Sequence, residues 1–275
     1  MPWTWDESLY AGSASYYDTG RMPYPASVAE AVRDEFGLDG TGRLLDVGCG
    51  PGSLTLLLAP MFGAAVGIDA DRGMIDAARA RAARAGVSTV GWRQLRAEDL
   101  PADLGTIRVV TFAQSFHWMD QPLVARRVRG MLEPNGGWVH VHATTHRGAE
   151  GDDPLPHPRP PWDGIDHLVA EYLGPVRRAG RGTLPTGTRD GEEDVMRQAG
   201  FTGPTRIDTG GGQVMERGID EIVAAVFSLS NSAPHLFGDG LPAFEADVRR
   251  LLGTTSPTGL FSERTREIAL VIWRP

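Results

Sequence analysis

Lysine is absent from this sequence of 275 residues, so all 27 basic side chains are arginines. This absence excludes a phosphate-loop lysine, a Schiff-base lysine and a lysine general base. Cysteine is almost absent too, and the single Cys49 excludes an internal disulfide framework and a cysteine-rich zinc site. Acidic residues outnumber basic ones, giving a formal net charge of −8. Because a general nucleic-acid binder needs a basic surface, we expect no nucleic-acid partner.

Long apolar runs are also missing. The most apolar stretch, residues 54–68, is interrupted by Pro60 and Gly63, so it is too short to cross a bilayer. The first ten residues, MPWTWDESLY, lack the basic and apolar pattern of a secretion signal. We therefore expect a cytoplasmic protein without a membrane partner. Hydrophobic residues make up 41% of the chain, which is enough to bury the core of one large domain.

Short apolar runs alternate with helical patterns over the first half of the chain. The runs predict strands at 43–47, 65–69, 87–94, 107–112 and 138–143. The helical patterns lie at 25–36, 53–62, 71–85 and 122–131. This alternation predicts an α/β fold, with a parallel sheet that is covered by helices on both faces. The ligand site of such a sheet lies at the carboxyl ends of the strands, where the strand order reverses.

The regular alternation ends after Thr145. Residues 147–190 are rich in proline and glycine, which predicts a loop or a lid beside the cleft. The remaining patterns predict helices at 163–173, 191–201, 219–229 and 241–252, and strands at 205–208 and 267–273. The glycines at 210–212 predict a turn rather than a binding loop.

The stretch LLDVGCGPGSLTLLLA, residues 44–59, concentrates three glycines after Asp46. A strand, a glycine loop, a helix and an acidic residue about 20 positions later form the arrangement of a nucleotide site. That acidic residue is Asp69, which can accept two hydrogen bonds from a ribose diol. A dinucleotide loop would carry a third glycine where this chain has Ser53, which makes a nicotinamide dehydrogenase a distant alternative.

The glycine loop and four further stretches resemble motifs of the class I S-adenosylmethionine-dependent methyltransferases. The loop resembles the first motif of that family, VGIDADRGMIDAARARA the second, LRAEDLP the third, and VVTFAQSFHWMD the fourth strand and its exit. YYDTGRMPYP resembles the N-terminal segment of the small-molecule members, which include trans-aconitate-type enzymes. The resemblance implies a Rossmann-like fold, with a mostly parallel seven-stranded sheet and a small cap.

The resemblance also implies S-adenosyl-L-methionine as the cofactor, and a set of residues that bind it. Asp69 would hold the ribose hydroxyls, while Met74 and Ala97 would lie near the adenine. Tyr17 and Arg21 would close over the methionine end, where Arg21 suits the carboxylate by charge and fork geometry. The complete predicted set is Tyr17, Arg21, Asp46, Gly48, Cys49, Gly50, Gly52, Asp69, Ala70, Met74, Ala97, Glu98 and Gln114. Arg96 departs from the family pattern, in which its position is often acidic or small.

The resemblance implies one methyltransferase domain that consists of a core and a cap. The predicted cofactor-binding core comprises about 25–146, 191–212 and 262–275, and the cap or lid segments about 1–24, 147–190 and 213–261. Trp3, Trp5 and Trp162 are expected, with the cap segments, to wall the acceptor pocket.

Two histidines are candidate catalytic residues. His117 follows the fourth strand at the edge of the cleft, where it can act as a general base, or FHW can serve only to pack and shape the pocket. His142 lies near the carboxyl end of the fifth strand, on the same face as His140. A metal site would need a third ligand that the sequence does not identify, so we expect no metal.

These observations favour transfer of a methyl group to a small-molecule acceptor, in secondary metabolism, by a monomer or homodimer. One alternative is an enzyme that binds the same cofactor and catalyses a cyclisation or rearrangement without transferring a methyl group. A second is a binding or regulatory protein that has lost catalysis. Analysis of the products separates the two enzyme classes.

Overall fold

The computed structural model describes residues 6–176, 178–179, 182–183 and 191–275. Trp3 and Trp5, and part of the predicted lid, lie outside these residues. The strands are β1 Arg43–Val47, β2 Ala64–Asp69, β3 Val90–Gln94, β4 Ile107–Ala113, β5 Leu132–His142, β6 Arg178–Ala179, β7 Gly182–Thr183, β8 Thr202–Gly210, β9 Val214–Gly218, β10 Leu260–Arg264 and β11 Glu267–Arg274. The helices are α1 Ala14–Gly20, α2 Ala26–Phe36, α3 Ser53–Leu58, α4 Arg72–Arg84, α5 Gln121–Arg129, α6 Trp162–Leu173, α7 Glu192–Gln198, α8 Ile219–Phe227 and α9 Leu241–Thr255.

Seven strands form one sheet in the order β3-β2-β1-β4-β5-β11-β8. The first five strands run parallel, and β11 is antiparallel to both of its neighbours. Helices α2 and α3 contribute to the apolar cluster on one face of the sheet, and α5 and α7 to the cluster on the other. The structure therefore confirms the predicted α/β class with a mostly parallel sheet. The strand order reverses between β1 and β4, and open α/β sheets bind their ligands beside such a reversal.

Several element boundaries differ from the predictions for identifiable reasons. Helix α3 gives way to a 3-10 turn at Ala59–Met61, because Pro60 cannot continue the α-helical hydrogen bonds. Strand β5 begins at Leu132 rather than 138, and its register with β4 shifts between Leu132 and Gly137. Residues 132–137 therefore belong to the same strand, which contains an irregularity before Gly137. The two-stranded ribbon of β9 and β10 was not predicted, and it pairs segments that are far apart in the sequence.

The elements that belong neither to the seven-stranded sheet nor to the helices on its faces form a separate layer, which we call the cap. The cap comprises α1, α6, α8, α9 and the ribbon of β9 and β10. Its interior is an apolar cluster that includes Ile165 of α6, Phe227 of α8 and Phe244 of α9. No helix in the described part of the chain is long and apolar enough to cross a membrane.

A buried ion pair connects the parts of the cap. Arg217 Nη1 lies 3.0 Å from Glu263 Oε2, and the two side chains are only 4% and 3% exposed. Arg217 also donates to the carbonyl oxygens of Gly20, His146 and Glu221 at 2.8 to 2.9 Å. The second oxygen of Glu263 accepts from the backbone N–H of Gly148 and from the indole of Trp162, both at 2.7 Å. This network compensates both buried charges, as a buried pair requires if it is not to destabilise the fold.

Candidate functional site

A cavity of about 430 Å³ opens at the carboxyl ends of the central strands. Its floor is formed by the segments that follow β1, β2, β4 and β5. Its other wall comes from the N-terminal segment around α1 and from residues 229–231, which follow α8. The cavity therefore lies between the sheet and the cap, beside the reversal of strand order.

The glycine loop forms part of the floor. Gly50 has a φ of +52°, and a Cβ built there would meet no atom within 4 Å, so the loop leaves open space at this point. Gly48 and Gly52 also have positive φ values, but side chains would collide there with Ser115 and with the ring of Trp92. Glycine is thus needed at Gly50 for backbone conformation, and at the other two positions for internal packing as well.

Asp46 lies beneath this loop rather than in the cavity. Its carboxylate accepts hydrogen bonds from Thr55 Oγ1 at 2.5 Å and from Thr111 Oγ1 at 2.7 Å. Burial raises the pKa of Asp46 above its usual value, and the two hydroxyl donors oppose that shift. The residue joins β1 to α3 and to β4, so its contacts are those of a structural support.

Asp69 does face the cavity, at the end of β2. One carboxylate oxygen accepts from the N–H of Gly50 and the other from the N–H of Asp71, both at 2.9 Å. Burial raises the pKa of Asp69 to about 6, although these two N–H donors oppose the shift. Each oxygen keeps acceptor capacity beyond its backbone bond, so the group can receive further donors from a ligand.

Arg21 brings a positive charge to the opposite wall. Its guanidinium lies 4.7 Å from the centre of the Tyr17 ring, and two of its nitrogens bind Ser228. Tyr17 and Tyr10 stand edge to face at 6.3 Å, and burial raises the pKa of both phenols, so they are neutral near pH 7. In the described part of the chain, Arg21 has no carboxylate within ion-pair distance.

Glu98 and Arg96 lie together at another part of the wall. Their side chains form an ion pair at 3.4 Å, and Glu98 also accepts from the backbone N–H of Asp120 at 2.9 Å. The arginine at the position that departs from the family pattern is thus paired with the neighbouring acid. Met74 and Ala97 line the same cavity.

Comparison with known proteins now identifies the domain. Residues 44–136 match the family model described as a methyltransferase domain. The chain is 32% identical to an uncharacterised methyltransferase of Mycobacterium bovis over 132 residues. This aligned segment covers 48% of this chain and 51% of that protein. It is 43% identical over 107 residues to a ubiquinone biosynthesis O-methyltransferase of Azorhizobium caulinodans, covering 38% of this chain and 41% of the relative. The chain spans about half the length of the first curated relatives it matches.

Solved structures agree on the fold. A putative type II methyltransferase from Anaeromyxobacter dehalogenans aligns with a TM-score of 0.52 and 18% identity, over 92% of this chain and 96% of that one. The cyclase SpnF aligns with a TM-score of 0.53 and 16% identity, over 100% of this chain and 98% of that one. Residues 44–136 of the chain therefore match a methyltransferase domain, and the fold agrees with that of methyltransferase structures.

Most of the residues predicted to bind the cofactor lie around one cavity of this methyltransferase domain. Those that line it are Tyr17, Arg21, Gly48, Cys49, Gly50, Asp69, Ala70, Met74, Ala97, Glu98 and Gln114. Asp46 and Gly52 do not line it. Burial raises the pKa of the Cys49 thiol well above its usual value, so the residue is part of the wall rather than a nucleophile.

The two candidate catalytic histidines are placed differently. His117 lines the methyltransferase cavity, and burial lowers its pKa to about 4, so the imidazole is neutral near pH 7. His142 instead lines a neighbouring cavity, together with His140. The rings of His140 and His142 are 5.9 Å apart, and within the described residues no cluster of three or more metal-ligating side chains is present.

Several lining residues were not named individually from the sequence. Tyr10, Trp118, Thr144, Thr145 and His146 line the cavity, as do residues 229–231. Tyr10 and residues 229–231 lie in cap segments that were expected to wall the acceptor pocket, and FHW contains Trp118, but no local motif marks the two threonines or His146. Burial lowers the pKa of His146, and nearby arginines, first of them Arg21, add to the shift, so this side chain is a neutral hydrogen-bonding group.

The described part of the predicted lid, residues 147–176, does not line this cavity. The segment is bound to β10 instead: Ser262 N donates to Pro158 O at 3.1 Å, and His157 N to Ser262 Oγ at 3.2 Å. Trp162 likewise points its indole N–H at Glu263, and α6 packs on α9. The remainder of the predicted lid, 177–190, lies largely outside the described residues.

Proposed function

We propose that the protein transfers the methyl group of S-adenosylmethionine to a small-molecule acceptor. The observation that carries the proposal is one cavity with an acidic group on its sheet side and, on its cap side, a guanidinium that has no carboxylate partner among the described residues. Asp69 can accept hydrogen bonds from a ribose diol, and Arg21 can bind a carboxylate with its fork of donors. The space above Gly50 lets a ligand approach the backbone between them. These residues therefore fit a nucleoside that carries an amino acid.

The bound cofactor supplies a methyl group that is already activated by its sulfonium. The main task of the protein is then to hold the acceptor in line and to exclude water. Residues 144–146 and 229–231 adjoin Arg21 along the wall of the cavity, so we assign the acceptor to that side. Neutral threonine, histidine and asparagine side chains there offer hydrogen bonds without a fixed charge.

His117 is the group that we assign to receive a proton from an acceptor that must lose one. Its pKa of about 4 makes it a weak base near neutral pH. We therefore expect alignment to contribute more to the rate than proton removal does, and His117→Ala to slow the reaction rather than abolish it.

Two measurements test the proposed function. Calorimetry should detect binding of S-adenosylhomocysteine and no binding of NAD; tight NAD binding without a signal from the homocysteine ligand would refute it. Incubation with S-adenosylmethionine labelled in its methyl group and with small-molecule extracts should give a product that carries the label. A converted product without the label would instead support the non-methylating cyclisation or rearrangement.

A further inference from the structure

The Arg21 side chain is held by the carboxyl end of α8. Its Nε donates to Ser228 Oγ at 2.7 Å, and its Nη2 donates to the Ser228 carbonyl oxygen at 3.0 Å. The Ser228 hydroxyl donates its own proton to the Ala225 carbonyl oxygen at 2.7 Å. Its oxygen is thereby oriented to accept from Arg21. Ser228 is fully buried, so no water competes for this contact.

The contact with Ser228 uses only one edge of the guanidinium. A planar guanidinium has five N–H donors, and Nε and Nη2 supply the two parallel donors of one edge. In the described structure no hydrogen bond engages Nη1, which forms the other edge together with Nη2. A carboxylate is the group that binds such an edge through two parallel hydrogen bonds. Ser228 therefore fixes the plane of the group and leaves Nη1 without a hydrogen bond among the described residues, while Arg21 lines the cavity.

The backbone on both sides of Arg21 is fixed as well. Gly20 packs so closely on α8 that a Cβ there would collide with backbone atoms of Ala224 and Ala225. Its carbonyl oxygen accepts from the buried Arg217 at 2.8 Å, and Met22 N donates to Thr145 O at 2.8 Å. Both the main chain and the side chain of Arg21 thus take their positions from contacts outside the glycine loop.

We propose that Ser228 is the positioning residue that aims Arg21 at the carboxylate of the cofactor's amino acid end. The inference rests on the proposed function, and it makes the cap responsible for one end of the ligand while the sheet binds the other. Ser228 itself does not line the cavity and acts only through Arg21.

The test compares two probes that differ at the amino acid end. S-adenosylhomocysteine carries the carboxylate, whereas 5′-methylthioadenosine lacks it. Ser228→Ala should weaken the binding of S-adenosylhomocysteine about tenfold, because one donor of Arg21 loses its acceptor and the fork loses its alignment. Binding of 5′-methylthioadenosine should stay unchanged. In Arg21→Ala protein, which already lacks the fork, adding Ser228→Ala should cause no further loss.

Ser232→Ala is the matched control. Ser232 is also buried, and its hydroxyl donates to the Val226 carbonyl oxygen at 2.6 Å, but it does not touch Arg21. The control should lose a similar helix-end hydrogen bond and keep the affinity for both probes. Equal weakening of both probes by Ser228→Ala, or no weakening of S-adenosylhomocysteine, would overturn the positioning role. If the unchanged protein binds neither probe, the proposed function itself fails.

Discussion

The sheet and the cap are built in different ways, although both face the same cavity. The sheet side is formed by consecutive units of strand, loop and helix, and Asp69 is held there by backbone N–H groups of Gly50 and Asp71. The cap side joins segments from residues 9–22, 146–173 and 214–264 through side chains, above all through Arg217 and Glu263. The two ends of the proposed ligand therefore depend on different parts of the fold. The nucleoside end depends on local backbone, and the amino acid end on long-range side-chain contacts.

The largest effect should come from breaking the buried ion pair of the cap. Glu263→Ala leaves the Arg217 charge buried without its partner, which should lower the free energy of unfolding by about 3–5 kcal/mol. Urea denaturation followed by circular dichroism measures the change. Asp76→Ala is the control, because its pairs with Arg72 and Arg79 are exposed and should contribute less than about 1 kcal/mol. Equal losses in the two variants would show that the ion pair does not hold the cap.

A smaller loss should follow from separating α1 and α8. Gly20→Ala places a methyl group against the α8 backbone, which cannot move aside as a flexible side chain can, at a cost of about 1–3 kcal/mol. Gly253→Ala in α9 is the matched helix control, since a Cβ there meets no atom within 4 Å. That control should gain about 0.5–1 kcal/mol from the better helix propensity of alanine. Thermal unfolding of the two variants should thus shift in opposite directions, and a shared sign would contradict the packing argument.

On the sheet side, Asp69→Ala should weaken S-adenosylhomocysteine binding by about 1–3 kcal/mol, or roughly tenfold to a hundredfold, because the ribose hydroxyls lose their acceptor. The fold should remain intact by circular dichroism. Asp71→Ala provides the contrast, because it removes the cap of α4, where Asp71 accepts from Met74 N at 3.0 Å. This variant should lose stability and keep its affinity. Unchanged affinity in Asp69→Ala would remove that residue from the ribose site.

The smallest expected effect is a dependence of affinity on pH. A carboxylate accepts hydroxyl donors best when it is ionised, and the pKa of Asp69 in the free protein is about 6. Affinity should therefore be full above about pH 7 and fall as the pH drops through 6, by at most about tenfold for each unit. Burial lowers the pKa of His117 to about 4 and that of His146 further, so neither imidazole gains a proton in this window. Calorimetric titrations of the unchanged protein and of Asp69→Asn measure the effect, which should vanish in the variant.

The elements and residues of the sheet side could be predicted because their causes are local. The helical pattern predicted at 25–36 agrees with α2, which Pro25 and Gly37 flank, and Asp71 caps α4. The position of Asp69 in the cavity follows directly from its place at the end of an apolar strand. The same locality explains why eleven predicted residues meet around one cavity, since parallel strands bring their carboxyl ends together.

The cap could not be predicted in the same way. Arg21 and Ser228 are 207 residues apart in the sequence, and neither position signals the other. Strand β9 is short and carries Glu216 and Arg217, so no apolar alternation marks it as a partner of β10. Only the folded chain shows that Arg217 is buried, because an arginine read alone is expected at the surface.

The contact between Gly48 and Ser115 has a kinetic consequence. Ser115 Oγ donates to the Val47 carbonyl oxygen at 2.6 Å, and Gly48 leaves no room for a Cβ beside the serine. The loops after β1 and β4 are therefore joined at this point, and separating them would first break this hydrogen bond. We expect the two loops in the floor of the cavity to move as one unit when a ligand exchanges.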